Sequence, residues 1–148
     1  MSALYSEPEH RGYSIDQLKV GMTAFFSRAI TDADVVSFSQ LSGDTNPVHL
    51  DERYAAATPF NGRIVHGFLS ASLISAAIAL QLPGPGSIYL SQNLSFKAPV
   101  RIGDMVEARV TVKEVLTERG RVVLSTICSV GDLVVIEGEA LVKAPSHG

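Results

Sequence analysis

From Gly67 to Leu82 the chain reads Gly-Phe-Leu-Ser-Ala-Ser-Leu-Ile-Ser-Ala-Ala-Ile-Ala-Leu-Gln-Leu, and residues 67–96 contain no Asp, Glu, Lys or Arg. A helix over this stretch has no charged face, so it has to be buried on nearly every side. Pro83-Gly84-Pro85-Gly86 cuts the run, leaving an apolar segment of about 15 residues, short of the ~20 that a membrane span needs. The helix therefore belongs inside a globular domain. Its small residues Ala71, Ser72, Ser75, Ala76 and Ala79 permit close approach of another backbone or of a ligand.

What can cover such a helix follows from the rest of the chain. Everything after Gly86 reads as sheet: Ser87–Lys97 stopped by Pro99, then Met105–Leu116, Arg121–Val130 and Leu133–Lys143. In Met105–Leu116, Val106, Ala108, Val110 and Val112 alternate with Glu107, Arg109, Thr111 and Lys113, the period of a half-buried strand. Gly120 and Gly131-Asp132 mark hairpin turns. Ahead of the helix, a strand is expected over Met22–Ala29. A helix is then capped by Thr31, favoured at its positive end by Asp32 and Asp34, and ended by Ser42-Gly43. Asp51–Ala57 reads as a short helical piece.

This is an α+β layout, with strands in antiparallel succession wrapped on one apolar helix. One small sheet cannot cover a helix that is apolar all round, so a second subunit is the economical cover and a homodimer is expected. At 148 residues, 46% apolar and 18% charged, the chain reads as one domain, 1–148, with residues 1–13 a loose leader. Its net charge of −3 and lack of a Lys/Arg run give no basis for binding nucleic acid. Cys128 stands alone, which excludes an intrachain disulfide, and it reads as a small apolar strand residue. Neither a secretory signal nor a membrane span is read, so the expected location is the cytoplasm. Asn93-Leu94-Ser95 matches a glycosylation acceptor in letters only.

Chemistry concentrates in Ser42-Gly43-Asp44-Thr45-Asn46-Pro47-Val48-His49-Leu50-Asp51. Asp44 and His49 are five residues apart, a spacing that neither a regular helix nor a strand brings to one side. Pro47 lacks an N–H and drives Asn46 towards an extended conformation, so an irregular path bent at Pro47 is expected to aim both groups into one pocket. A carboxylate beside an imidazole can hold and polarise a water. Taken singly, Asp44 also reads as a turn residue bonding its own backbone, and His49 as a surface or structural histidine. Asn46 reads as shaping the loop through side-chain to backbone bonds. Asp44, His49 and His66 are ligand types for a metal, but two histidines without a dense carboxylate or cysteine cluster give no metal site. Gly84-Pro85-Gly86 follows a helix rather than opening one, so no dinucleotide loop is present.

These residues, followed by Ile64-Val65-His66-Gly67, resemble the hydratase 2 motif of the MaoC-like dehydratases, in particular the short (R)-specific enoyl-CoA hydratases. Gly86-Ser87-Ile88-Tyr89, Leu94-Ser95-Phe96-Lys97-Ala98-Pro99-Val100 and Gly103-Asp104 are similar to the same family. The resemblance covers roughly residues 20–143, with Val48 where many relatives carry Leu. It implies a hot-dog fold, a curved antiparallel sheet around a long central helix, paired into a dimer through a continuous sheet. The implied reaction is syn addition of water to a trans-2-enoyl-CoA, giving the (3R)-hydroxyacyl-CoA, with no cofactor beyond the CoA thioester itself. In that reading Asp44 and His49 are the catalytic pair, and Gly67, at the positive start of the helix, meets the thioester carbonyl. His66 is the structural neighbour of that glycine. Ser75 falls on a position that contacts the substrate pocket, although a helical serine also bonds back to its own helix. Ile78 is a candidate limit on acyl length, with core packing as the alternative. A hot-dog thioesterase and a non-catalytic acyl-CoA-binding module are the competing functions, both disfavoured by an intact Asp44 and His49. Acyl length, the pathway and the choice of CoA over acyl carrier protein stay open.

Overall fold

The computed structural model describes residues 11–146. The chain runs β1 (Thr23–Ala29), α1 (Asp32–Ser42), α2 (Pro47–Leu50), α3 (Glu52–Ala56), α4 (Gly67–Leu80), β2 (Ile88–Gln92), β3 (Ser95–Phe96), β4 (Met105–Leu116), β5 (Arg121–Val130) and β6 (Leu133–Lys143). One antiparallel sheet has the order β1-β4-β5-β6-β2, with β3 also pairing β6. The sheet wraps α4, which lies against β4, β1 and β5. This is the hot-dog layout, α+β.

The core forms where two periodicities meet. Leu73, Ile74, Ala77 and Ile78 supply the buried face of α4. Val106, Ala108, Val110 and Val112 of β4 face it, every second residue as the alternation demands. Val122 and Leu124 of β5 and Ile136, Ala140 and Val142 of β6 join the same cluster. None of the described helices is long and apolar enough to cross a membrane.

Several expectations are corrected. The central helix stops at Leu80, two residues earlier than read. The stretch 87–97 is two strands rather than one, because Asn93 turns to exchange bonds with Glu139: its N–H donates to the Glu139 carbonyl at 3.0 Å and its Oδ1 accepts from the Glu139 N–H at 3.2 Å. The strands are not paired in simple succession either. β2 crosses to the far edge beside β6, and β4 takes its place next to β1. The short helical piece expected at 51–57 is present, over Glu52–Ala56 with Asp51 and Ala57 as its caps. Pro47 does not produce an irregular path but opens a one-turn helix, α2. As expected of a single small sheet, α4 is not covered on every side by its own chain: Phe68 is 66% and Leu80 55% exposed. Of the expected leader, residues 1–10 lie outside the described part. Gly12 and Tyr13 are tied down, their N–H groups donating to the carbonyls of Pro85 and Pro83.

Candidate active site

The site begins with how α1 is held. Thr31 and Asp34 form a reciprocal capping box, and Arg28 ion-pairs with Asp34 and holds its carboxyl down at about 2. At the other end Gly43 takes φ 82°, a left-handed conformation that a glycine adopts without strain, and its N–H donates to the Ser39 carbonyl. The chain is thereby released into Asp44. The Asn46 N–H donates to Asp44 Oδ1 at 3.2 Å, and the Val48 N–H donates to Asn46 Oδ1 at 3.2 Å. Asn46 is thus the N-cap of α2 with Pro47 at its first turn. The turn role and the site role of Asp44 coexist: Oδ1 fixes the loop, and Oδ2 faces His49 Nε2 at 3.9 Å.

His49 is 8% exposed, whereas the Asp44 side chain is 49% exposed. The tautomer of His49 follows from its partner. Nδ1 lies 2.8 Å from the Ile64 carbonyl, which can only accept, so Nδ1 carries the proton. Nε2 of the neutral ring is then a lone pair turned towards a carboxylate oxygen. Two acceptors 3.9 Å apart do not bond each other, but one water can donate a hydrogen to each. Arg63 secures the same element: Nε donates to the His49 carbonyl at 2.7 Å and Nη2 pairs with Asp32 at 2.6 Å, joining α2 to the start of α1.

His66 is more than a neighbour of Gly67. It is 2% exposed and stacks on His49 with ring centroids 3.9 Å apart. Its Nε2 lies 3.2 Å from the Asp44 carbonyl and 2.9 Å from Ser39 Oγ. The carbonyl again requires the proton on that nitrogen, so His66 ties the Asp44 backbone to α1. Burial, and next the proximity of His49, push its pKa below the ordinary value. Asp44, His49 and His66 offer ligand atoms within 4.8 Å of one another. With the proton on Nε2, the lone pair of the His66 ring is on Nδ1, which is buried without a hydrogen-bond partner. The parts that sequence reasoning missed are the Ile64 carbonyl, Arg63 and Ser39, and no local pattern announces them.

Gly67 opens α4. The first helical bonds run from the Leu69 and Ser70 N–H groups to the His66 carbonyl, ahead of which lie the Gly67 and Phe68 N–H groups. A Cβ on Gly67 would lie 2.5 Å from the Phe96 ring. Two cavities flank this point. One, of about 440 Å³, is lined by Ile64, Gly67, Phe68, Ser70, Phe96 and Pro99 among others. The second, of about 580 Å³, is lined by Phe38, Phe68, Ala71, Ser75, Leu94 and Phe96 among others. Phe68 and Phe96 belong to both, their rings 5.8 Å apart. The expected site residues are therefore distributed: Gly67 on the first cavity, Ser75 on the second, and Asp44 and His49 beside them but on neither wall. Ile78 lies in the closed core at 2% exposure, lining neither cavity. Cys128 is fully buried with its thiol pushed up to about 12 by burial, as suits an inert strand residue.

Residues 18–130 match the family described as MaoC like domain. The chain is 53% identical to a 3-hydroxybutyryl-CoA dehydratase of Methylorubrum extorquens over 138 residues, covering 93% of this chain and 88% of that one. It is 50% identical to an (R)-specific enoyl-CoA hydratase of Rhodospirillum rubrum, over 90% of this chain and 92% of that one. Among solved structures, an (R)-hydratase from Aeromonas caviae involved in PHA biosynthesis superposes with a TM-score of 0.84. It is 46% identical and covers 86% of this chain and 98% of that one. Sequence and fold agree, and the chain belongs to the MaoC-like dehydratase family.

Proposed function

We propose that this protein is an (R)-specific enoyl-CoA hydratase, a hydro-lyase that adds water to trans-2-enoyl-CoA and, in reverse, dehydrates the (3R)-3-hydroxyacyl-CoA. The observation that carries the reading is the pair of facing acceptors, Asp44 Oδ2 and His49 Nε2, 3.9 Å apart beside the uncapped start of α4. Relatives named for hydration or dehydration of such thioesters support it.

A water donating to both acceptors directs its oxygen lone pairs away from them, towards C3 of the enoyl group. Attack forms the C3–O bond. One water hydrogen stays on the new hydroxyl and the other passes to Asp44, while the C2=C3 electrons move into the thioester as an enolate. Asp44 then returns that proton to C2, on the face from which the water came, which is why addition is syn. His49 orients the water through Nε2. The enolate oxygen gains from the Gly67 N–H and the positive end of α4. The change is redox-neutral, so it needs no redox cofactor, and a free CoA thioester in the cytoplasm is the substrate in this reading. The cavity that holds Ser75 has a mostly apolar lining suited to an acyl tail.

The test follows crotonyl-CoA by loss of its enoyl-thioester absorbance, coupled to a dehydrogenase specific for the (3R) product. Asp44→Asn and His49→Ala each lower kcat by about 10²–10⁴ with folding unchanged. Free thiol released in place of hydration would establish the thioesterase alternative. Variants as active as the parent would remove the pair from the mechanism.

A further inference from the structure

The first turn of α4 carries a buried hydroxyl that the fold leaves idle. Ser70 is 1% exposed, and its Oγ has no hydrogen-bond partner. A helical serine ordinarily satisfies itself by donating to a carbonyl three or four residues earlier. Other serines of this chain do so: Ser42 Oγ donates to the Phe38 carbonyl at 2.7 Å, and Ser72 Oγ to the Leu69 carbonyl at 2.6 Å. Ser70 does not, although it is deeper than either. A buried polar group without a partner is costly, and its persistence calls for a reason.

The position supplies one. Ser70 lies three residues after Gly67, on the same face of the helix, and both line the cavity of about 440 Å³. That lining is otherwise mostly apolar. Its polar donors at the helix start are the Gly67 and Phe68 N–H groups, which precede the first helical bonds, and this hydroxyl. The Cys128 thiol, fully buried on β5, donates to the Ser70 carbonyl at 3.7 Å.

We propose that Ser70 Oγ–H is a second donor to the thioester carbonyl oxygen, acting with the Gly67 N–H at the start of α4 and strengthening as that oxygen becomes an enolate. The inference rests on the hydratase reading for its substrate class. It assigns to this chain a substrate-contacting residue outside the Asp44/His49 pair.

Ser70→Ala removes one oxygen and leaves the packing intact. Three measurements are made on it beside the parent: steady-state hydration of crotonyl-CoA, thermal unfolding, and the infrared carbonyl stretch of bound butyryl-CoA labelled with ¹³C at C1. The expected result is a kcat at least about tenfold lower, on a scale where losing one oxyanion donor costs about 10²–10³. KM stays within a few-fold, because the bond strengthens only as charge develops. Tm is unchanged or raised, and the bound carbonyl stretch moves to higher frequency in the variant. A serine kept only as a small packing residue leaves both kcat and the stretch as in the parent, and that result overturns the proposal. If the parent does not hydrate crotonyl-CoA, the hydratase reading fails by itself, and the infrared shift still decides the role of Ser70. Butyryl-CoA that does not bind the parent at all overturns both.

Discussion

At the scale of single residues, the site is a set of constraints on where protons sit. Two backbone carbonyls, of Ile64 and Asp44, fix the tautomers of His49 and His66. The two rings are stacked at 3.9 Å, so a proton gained by His66 is opposed by its neighbour. His66 also faces Ser39 on α1 and the Asp44 loop, and the Phe38 ring lies 4.8 Å from it. Burial and His49 hold its folded-state pKa below the ordinary ~6.5 of the unfolded chain. The unfolded state therefore takes up a proton first as pH falls, and stability rises with pH wherever it binds more protons. The His66 contribution is fully present above about pH 6.5 and is lost progressively as pH falls below it, by up to about 1.4 kcal/mol for each unit between the two values. Tm measured from pH 7.5 down to 5.5 should fall in the parent. His66→Gln should start lower and fall less steeply. A parent Tm that is flat or rises over that range would refute the assignment.

At the scale of elements, the close approach of Gly138 to Asn93 decides where β2 ends and β3 begins. A Cβ on Gly138 would lie 1.9 Å from the Asn93 carbonyl oxygen, a backbone atom that cannot swing away. Gly138→Ala should therefore force β3 off β6 and destabilise the fold by about 1–3 kcal/mol or more, read from denaturant unfolding. A loss under half a kcal/mol would mean that the junction yields freely. The same junction shows what the sequence could convey. The 2.0-residue alternation of β4 was legible because side-chain period is a local property, and each of its inward residues is buried. The break at Asn93 and the placement of β2 beside β6 were not, since both depend on partners more than forty residues away. The α2 turn was missed although its signal was present: Asn46 followed by Pro47 is an N-cap with proline at the first helical position, and it was read as a bend. In the site, the Asp44 and His49 pairing was legible from the motif, but side-chain direction along α4 was not. Ile78 shares the buried face of Ile74 and Ala77, whereas Ser75 is on the exposed side with Ser72 and Ala79.

At the scale of the whole molecule, the uncovered side of α4 and the edge of the sheet make one argument. Phe68, Ser72, Ser75, Ala79 and Leu80 form an exposed, largely apolar stripe on a helix that carries no charge. β2 ends the sheet, and its Ile88, Tyr89 and Leu90 are 53%, 38% and 41% exposed. An apolar, unpaired edge invites strand addition, and charge or proline, the usual protections, are absent from it. A two-fold axis beside β2 would lay one edge antiparallel to its copy, extend the sheet and cover both helix stripes at once. The protein is therefore expected to sediment as a dimer at micromolar concentration, burying on the order of 800 Å² per subunit. Ile88→Glu with Leu90→Lys should release monomers. Because the stripe borders the cavities at Phe68 and Ser75, hydration should fall with dissociation and recover as concentration re-forms the dimer in milder single variants. A parent that sediments as a monomer would leave the helix stripe without its cover and end this account. A doubly charged variant that stays dimeric would move the interface away from β2.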